Sequence, residues 1–168
     1  MSTAAAVRRP ESSPDGEFDR ILLASEGRPF PAAAVDRVIA LASRSGASVH
    51  VLSIARVHGV SFGMPNPGLL PTKAEWREQH EIVAKAVKRL RRKGIEADGQ
   101  VLGTRKTTKR IVGEAKQEAC DAIVMAADPD RPRIIGDMIW SQEPQRVRRK
   151  ARVPVILVPD DSPPARPS

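Results

Sequence analysis

The chain has no tyrosine, and its three phenylalanines and two tryptophans make up 3% of 168 residues. Its core must therefore be aliphatic, and no aromatic platform for stacking single-stranded bases is evident. There is one cysteine, Cys120, which excludes an internal disulfide and fits a reducing compartment, so a cytoplasmic location is expected. Cys120 abuts a run expected to be buried and reads as an inert core thiol rather than a nucleophile. No stretch approaches 18 consecutive apolar residues, so no transmembrane span is expected. The first ten residues lack the apolar core of a secretory signal. Neither the Walker phosphate loop nor the dinucleotide Gly-x-Gly-x-x-Gly occurs. The three histidines, His50, His58 and His80, do not share metal-ligand spacing, so no metal site is expected. No Ser–His–acid or Cys–His set stands out along the chain.

What is present centres on residues 120–158. An apolar run, Asp-Ala-Ile-Val-Met-Ala-Ala (121–127), leads into a charged turn, Asp-Pro-Asp-Arg-Pro-Arg (128–133). A helix is predicted from Ile134 to about Arg152, and a second apolar run, Val-Pro-Val-Ile-Leu-Val, covers 153–158. Short apolar runs bounded by turn residues suit strands buried on both faces. Parallel strands need a crossover of this length between them. In open parallel sheets, ligands bind where the loops leave the carboxyl ends of the strands. Within the crossover, Ser141-Gln-Glu-Pro should break the helix at Pro144, with Ser141 or Gln142 capping its second half. Trp140, Met138 and Ile139 read as core or subunit contact.

The rest of the chain repeats the alternation. Residues 1–17 and 161–168 are rich in Ser, Pro, Ala and charge and read as disordered tails around a domain spanning 18–160. Residues 20–25 form a first strand, and a helix starts near Pro31 and ends at Gly46. Residues 49–55 form a second strand. The loop 57–73, with three glycines and three prolines, has no period. Thr72 and Glu75 have capping-box spacing and open a helix that ends at Gly94. Residues 95–102 form a half-polar strand near an edge. Thr107 or Thr108 caps the next helix. No internal repeat is visible. The order βα, βα, βα, βα, β implies a parallel sheet with helices on both faces and right-handed crossovers. Pro154 confines the last strand to an edge, which then needs cover, most simply from a second subunit.

These features, with Asp121-Ala-Ile-Val-Met and Arg146-Val147 followed by Ala151-Arg-Val-Pro-Val-Ile-Leu-Val, resemble the universal stress protein family over roughly residues 18–160. The resemblance implies an α/β three-layer sandwich with a five-stranded parallel sheet in the order 3-2-1-4-5. It also implies homodimers paired through the edge strand 153–158. Many members of the family bind ATP, and others do not.

The family's ATP loop is Gly, two residues, Gly, nine residues, then Gly and Ser or Thr, a phosphate cradle of backbone N–H groups. Aligned from the fourth strand, Ala126 and Pro129 fall at the two glycines. Aligned backwards from Arg146-Val147, Asp128 and Arg131 fall there, with Ser141 and Gln142 at the Gly–Ser pair. Neither alignment supplies a glycine. Glu26 stands where the family has an aspartate after the first strand. If the cleft takes a nucleotide, the resemblance assigns it to Ser25, Glu26, Gly27, Ile54, Ala126, Ala127, Asp128, Arg131, Ser141 and Gln142. Carboxylates beside a triphosphate repel it unless Mg²⁺ intervenes. The sequence thus favours a dimeric binding or regulatory module without family-type ATP binding, without a cofactor and without catalytic residues. An ATP-binding protein with slow hydrolysis, using Mg-ATP, is the alternative.

Net charge is +8, with residues 1–19 carrying about −2 and residues 159–168 about −1, so the part between them is more basic than the whole. The cations cluster at Lys85, Lys88, Arg89, Arg91, Arg92 and Lys93; at Arg105, Lys106, Lys109 and Arg110; and at Arg146, Arg148, Arg149, Lys150 and Arg152. A solvated face explains them most simply, in part because cations are favourable at helix C-termini. Docking on nucleic acid or another anionic partner is a third functional expectation.

Overall fold

The computed structural model describes residues 16–56, 70–128, 134–135, 138–139 and 141–160. Strands β1 (Arg20–Ser25), β2 (Ser48–Arg56), β3 (Ala97–Thr104), β4 (Ala122–Ala127) and β7 (Val155–Pro159) form one sheet. Its order is β3-β2-β1-β4-β7, all parallel, which is the expected 3-2-1-4-5 with β7 as fifth member.

The apolar runs are continuous because the central strands are covered on both sides. Alternate residues of one strand enter different cores. Ile21, Leu23, Val49, Val51 and Val124 pack with Val35, Val38 and Leu41 of α1 (Ala32–Ser45) and with Val83, Val87 and Leu90 of α2 (Lys73–Arg92). Leu22, Ala24, Leu52, Ile54, Ile123 and Met125 pack on the opposite face with Ile111 and Ala115 of α3 (Thr107–Gln117) and Val147 of α4 (Glu143–Lys150). Among the described residues, Phe18 is the single aromatic side chain in the buried hydrophobic core. Helix α2 lies close on β3, and Gly99 permits the approach: a Cβ there would stand 2.3 Å from Val83 Cγ1.

Local signals place most boundaries. Thr72 Oγ1 accepts from the Glu75 N–H at 3.1 Å and the Thr72 N–H donates to Glu75 Oε2 at 2.6 Å, a complete capping box. Gly46 ends α1 in the left-handed conformation at φ +69°, and Gly94, at φ +76°, follows α2. Pro31 is the N-cap of α1, one residue ahead of the first helical position. Strand β3 runs two residues later than expected and is an edge strand.

Several expectations are corrected. The helix over 134–152 is only Glu143–Lys150. Ile134–Ile135 and Met138–Ile139 instead pair as short antiparallel strands β5 and β6. Pro144 lies in the first turn of α4, where its missing N–H costs nothing, so it starts the helix instead of interrupting it. Gln142 is the N-cap but its side chain makes no cap bond. Nor does Thr107 or Thr108 cap α3, whose N-cap is Lys106. Both threonines are buried inside the helix, and Thr108 Oγ1 donates to Glu143, tying α3 to α4.

Among the described residues, strand β7 hydrogen-bonds only to β4, so its other edge has no partner strand there. Its residues Val155–Val158 are half-buried, and Pro154 and Pro159, which lack N–H donors, bracket them. Among the described residues, no helix is long and apolar enough to cross a membrane. The tail segments 1–15 and 161–168, loop residues 57–69 and Trp140 lie outside the described residues.

Candidate functional site

The switch point of this sheet lies between β1 and β4, where successive connections depart in opposite directions. The turn after β1 begins at Ser25, whose Oγ donates to the Arg28 carbonyl at 2.5 Å and accepts from the Gly27 N–H at 3.1 Å. Gly27 has φ +119°, and a Cβ there would lie 3.0 Å from the Ile54 carbonyl oxygen. Both constraints call for glycine.

This turn aims Arg28 across the switch point. Its Nη1 and Nη2 donate to the two carboxylate oxygens of Asp128 at 2.7 and 3.1 Å, a two-pronged fork. Its Nε donates to Glu26 Oε1 at 2.7 Å. Asp160, just beyond β7, lies 3.5 Å from Nη1. The side chains of Glu26, Asp128 and Asp160 are 4%, 9% and 10% exposed, so this is an interior ion cluster in which three carboxylates surround one guanidinium. Burial works against the Arg28 charge, but the hydrogen bond to Asp128 and the neighbouring carboxylates outweigh it and hold the pKa above the ordinary arginine value.

The main chain around the cluster is also committed. The Ser141 N–H donates to Asp128 Oδ2 at 2.7 Å, and the Asp160 N–H donates to the Ala127 carbonyl at 2.8 Å. Arg56 Nε donates to the Glu26 carbonyl at 2.9 Å, Gln79 Nε2 to the Gly27 carbonyl at 3.0 Å, and Ser53 Oγ to Gln79 Oε1. The first turn of α4 carries Glu143, which already complements the positive helix end.

The structure therefore brings Ser25, Glu26, Gly27, Ile54, Ala127, Asp128 and Ser141 to one place, with Ala126 buried one residue inside β4 and Gln142 next to Ser141. Arg131 lies outside the described residues. Sequence reasoning missed Arg28 as the organising group, and missed Asp160, Arg56, Gln79 and Ser53 altogether. Arg28 and Asp160 each follow the carboxyl end of a strand, the signal that would have found them.

The basic clusters do not merge. Those of α2 and α4 sit at helix C-termini on opposite faces of the sheet, while that of α3 begins its helix at the other end. Arg89 pairs with Asp36, and Arg91 Nε donates to the Ala97 carbonyl at 2.9 Å. Lys88, Arg91 and Arg92 line a shallow groove with Ala84 and Val87.

At the amino ends of the strands, the structure assembles a second polar cluster that linear spacing did not show. It contains Arg20, His50, Asp98, Glu114 and Glu118. Cys120 is buried nearby, and burial is the main reason its thiol is pushed up to about 11, in keeping with an inert core thiol.

Among solved structures, a universal stress protein from Burkholderia pseudomallei superposes with a TM-score of 0.64 at 20% identity, covering 85% of this chain and 97% of that one. The universal stress protein from Archaeoglobus fulgidus in complex with dAMP superposes at 0.60 with 22% identity, covering 83% and 97%. A universal stress protein in complex with cAMP superposes at 0.61 with 18% identity, covering 85% and 98%. Likeness at these identities speaks to the fold. The sequence profile of the universal stress protein family matches residues 17–159, most of the chain. By that match, this chain belongs to the universal stress protein family.

Proposed function

We propose that this chain is a dimeric binding or regulatory module that has exchanged the family's phosphate grip for an internal ion cluster, and so does not take ATP in the family manner. The observation that carries this reading is Arg28, forked onto Asp128 and paired with Glu26 where phosphates would need to sit. A polyphosphate would have to displace Asp128 from Arg28 and from the Ser141 N–H, and then lie beside Glu26, Asp128 and Asp160. Close like charges at a low-dielectric site oppose this strongly. The competing reading, ATP binding with slow hydrolysis, draws support from relatives that hold dAMP and cAMP. Adenosine monophosphates make smaller electrostatic demands than Mg-ATP.

Thermal melting with Mg-ATP, dAMP and cAMP tests the proposal. Mg-ATP should leave the melting temperature unchanged. Ligand at a hundred times its dissociation constant would add about 2.7 kcal/mol, and a shift of that size with Mg-ATP would overturn the reading.

The dimer surface in this reading is β7. Its open edge and half-buried aliphatic side chains match what a second copy would cover. Docking of an anionic partner on the basic clusters is less well supported, because the clusters lie at separate places on the molecule.

A further inference from the structure

The polar cluster at the amino ends of the strands has a composition that an ion pair alone does not explain. In the sheet register, His50 on β2 stands beside Asp98 on β3. It shares its face with Leu52 and Ile54 and so points at α3, which presents Glu114 and Glu118 one turn apart. His50 is 2% exposed and Glu114 is 2% exposed. His50 Nε2 is 3.2 Å from Glu114 Oε1, and Nδ1 is 3.2 Å from Asp98 Oδ2. The second contact is not aligned as a hydrogen bond, and Nδ1 is a buried polar atom without a hydrogen-bond partner.

Both ring nitrogens thus face carboxylates. A neutral imidazole has one N–H, so its other nitrogen turns a lone pair towards an anion. In a buried site that repulsion calls for a cation. Arg20 supplies one charge, at 3.2 Å from Asp98 and 3.0 Å from Glu118. Burial opposes that charge, but the bond to Glu118 and the charge of Asp98 raise its pKa above the ordinary value. Three carboxylates against one arginine still leave the cluster negative.

We propose that His50, Glu114 and Glu118 form a site for a divalent transition-metal ion, with Zn²⁺ the best match. A nitrogen of His50 and carboxylate oxygens of Glu114 and Glu118 lie within 4.8 Å of one another. Nitrogen and oxygen donors at about 2.0–2.2 Å from zinc are about 3.3–3.5 Å apart in a tetrahedron. The His50–Glu114 separation of 3.2 Å is already close to that. Asp98, 3.2 Å from Nδ1 but not aligned as a hydrogen bond in the ion-free chain, would accept from Nδ1–H once the ring turns towards the metal, and so fix the tautomer that points Nε2 at it, as carboxylates behind metal-bound histidines do. Glu118, 28% exposed at its side chain, lies on the solvent side, where the ion and a water ligand would enter. Arg20 would hold the second oxygen of Glu118 in place. This site is separate from the Arg28 cluster and does not depend on how that cluster is used.

The test is Zn²⁺ titration of the tag-free chain by calorimetry at about pH 7.5, where the ligands can lose their protons. One ion per chain should bind with micromolar or tighter affinity and raise the melting temperature. Glu118→Gln, on the solvent side, should fold normally and weaken binding by at least about tenfold. His50→Gln should abolish it, while His80→Gln should leave it intact. Nitrogen-15 spectra of the zinc-loaded chain should show the His50 ring proton on Nδ1, with Nε2 shifted by the metal. The proposal is overturned by an absence of zinc binding or by binding that survives both His50→Gln and Glu118→Gln. A His50 ring that carries two protons and ignores zinc would also overturn it.

Discussion

The two ends of the sheet solve one problem in different ways. At the carboxyl end, Arg28 reaches Glu26, Asp128 and Asp160, all nearly buried. At the amino end, Arg20 reaches Asp98 and Glu118, whose side chains are 54% and 28% exposed, while the buried partner set is His50 and Glu114. The first arginine lies inside its cluster and occupies the place this fold reserves for ligands. The second lies on the rim and leaves a histidine nitrogen and two carboxylates facing one another. An arginine at the centre is surrounded by its carboxylates; an arginine at the margin leaves an interior carboxylate to pair with a histidine.

Replacing each arginine by methionine separates the two cases most strongly. Removing one partner of a buried charge cluster leaves uncompensated carboxylates, so Arg28→Met should lower unfolding free energy by about 3 kcal/mol in urea titration. Arg20→Met, with more exposed partners, should cost about 1 kcal/mol. Equal losses would erase the distinction drawn between the two ends. An effect between those two is expected from Gly27→Ala, which forces a side chain to φ +119° and a Cβ to 3.0 Å from the Ile54 carbonyl. About 1–3 kcal/mol of strain follows, measurable by the same titration.

The smallest effect concerns Cys120, beside the amino-end cluster. Its native pKa, about 11, is above the unfolded thiol value of 9.0. Between those values the unfolded chain binds fewer protons than the native one. Its contribution to stability is therefore complete below about pH 9 and is lost as pH rises towards 11. Native protein at about pH 8 should react slowly with a thiol reagent, and denatured protein at the rate of a free thiol. Rapid labelling of the native chain would place the thiol outside the core.

How much was legible in advance differs between fold and site. The strand β1 was read at its observed limits because Arg-Ile-Leu-Leu-Ala-Ser is bounded by charge and by a Gly-Pro turn. The Thr72–Glu75 box and Gly46 mark helix ends through bonds that span three or four residues. The 134–152 crossover misled because its Ile-Ile-Gly-Asp-Met-Ile suits both a helical stripe and a hairpin, and the hairpin cue, Gly-Asp, was passed over. Glu26 and Asp128 were placed near each other by the resemblance to the family. Arg28 was not recognised as the group joining them.

The order of the strands came from the resemblance to the family; the sequence by itself determined a parallel sheet of alternating strands and helices, because apolar periodicity and caps act over short distances and βα alternation restricts topology. It also fixed that glycines for a phosphate cradle are missing. Only the tertiary structure decided which charges meet. Arg28 and Asp128 are a hundred residues apart, and His50 and Glu114 sixty-four. Coulomb energy depends on distance in space and on the dielectric around a pair. Neither is defined until the chain has folded.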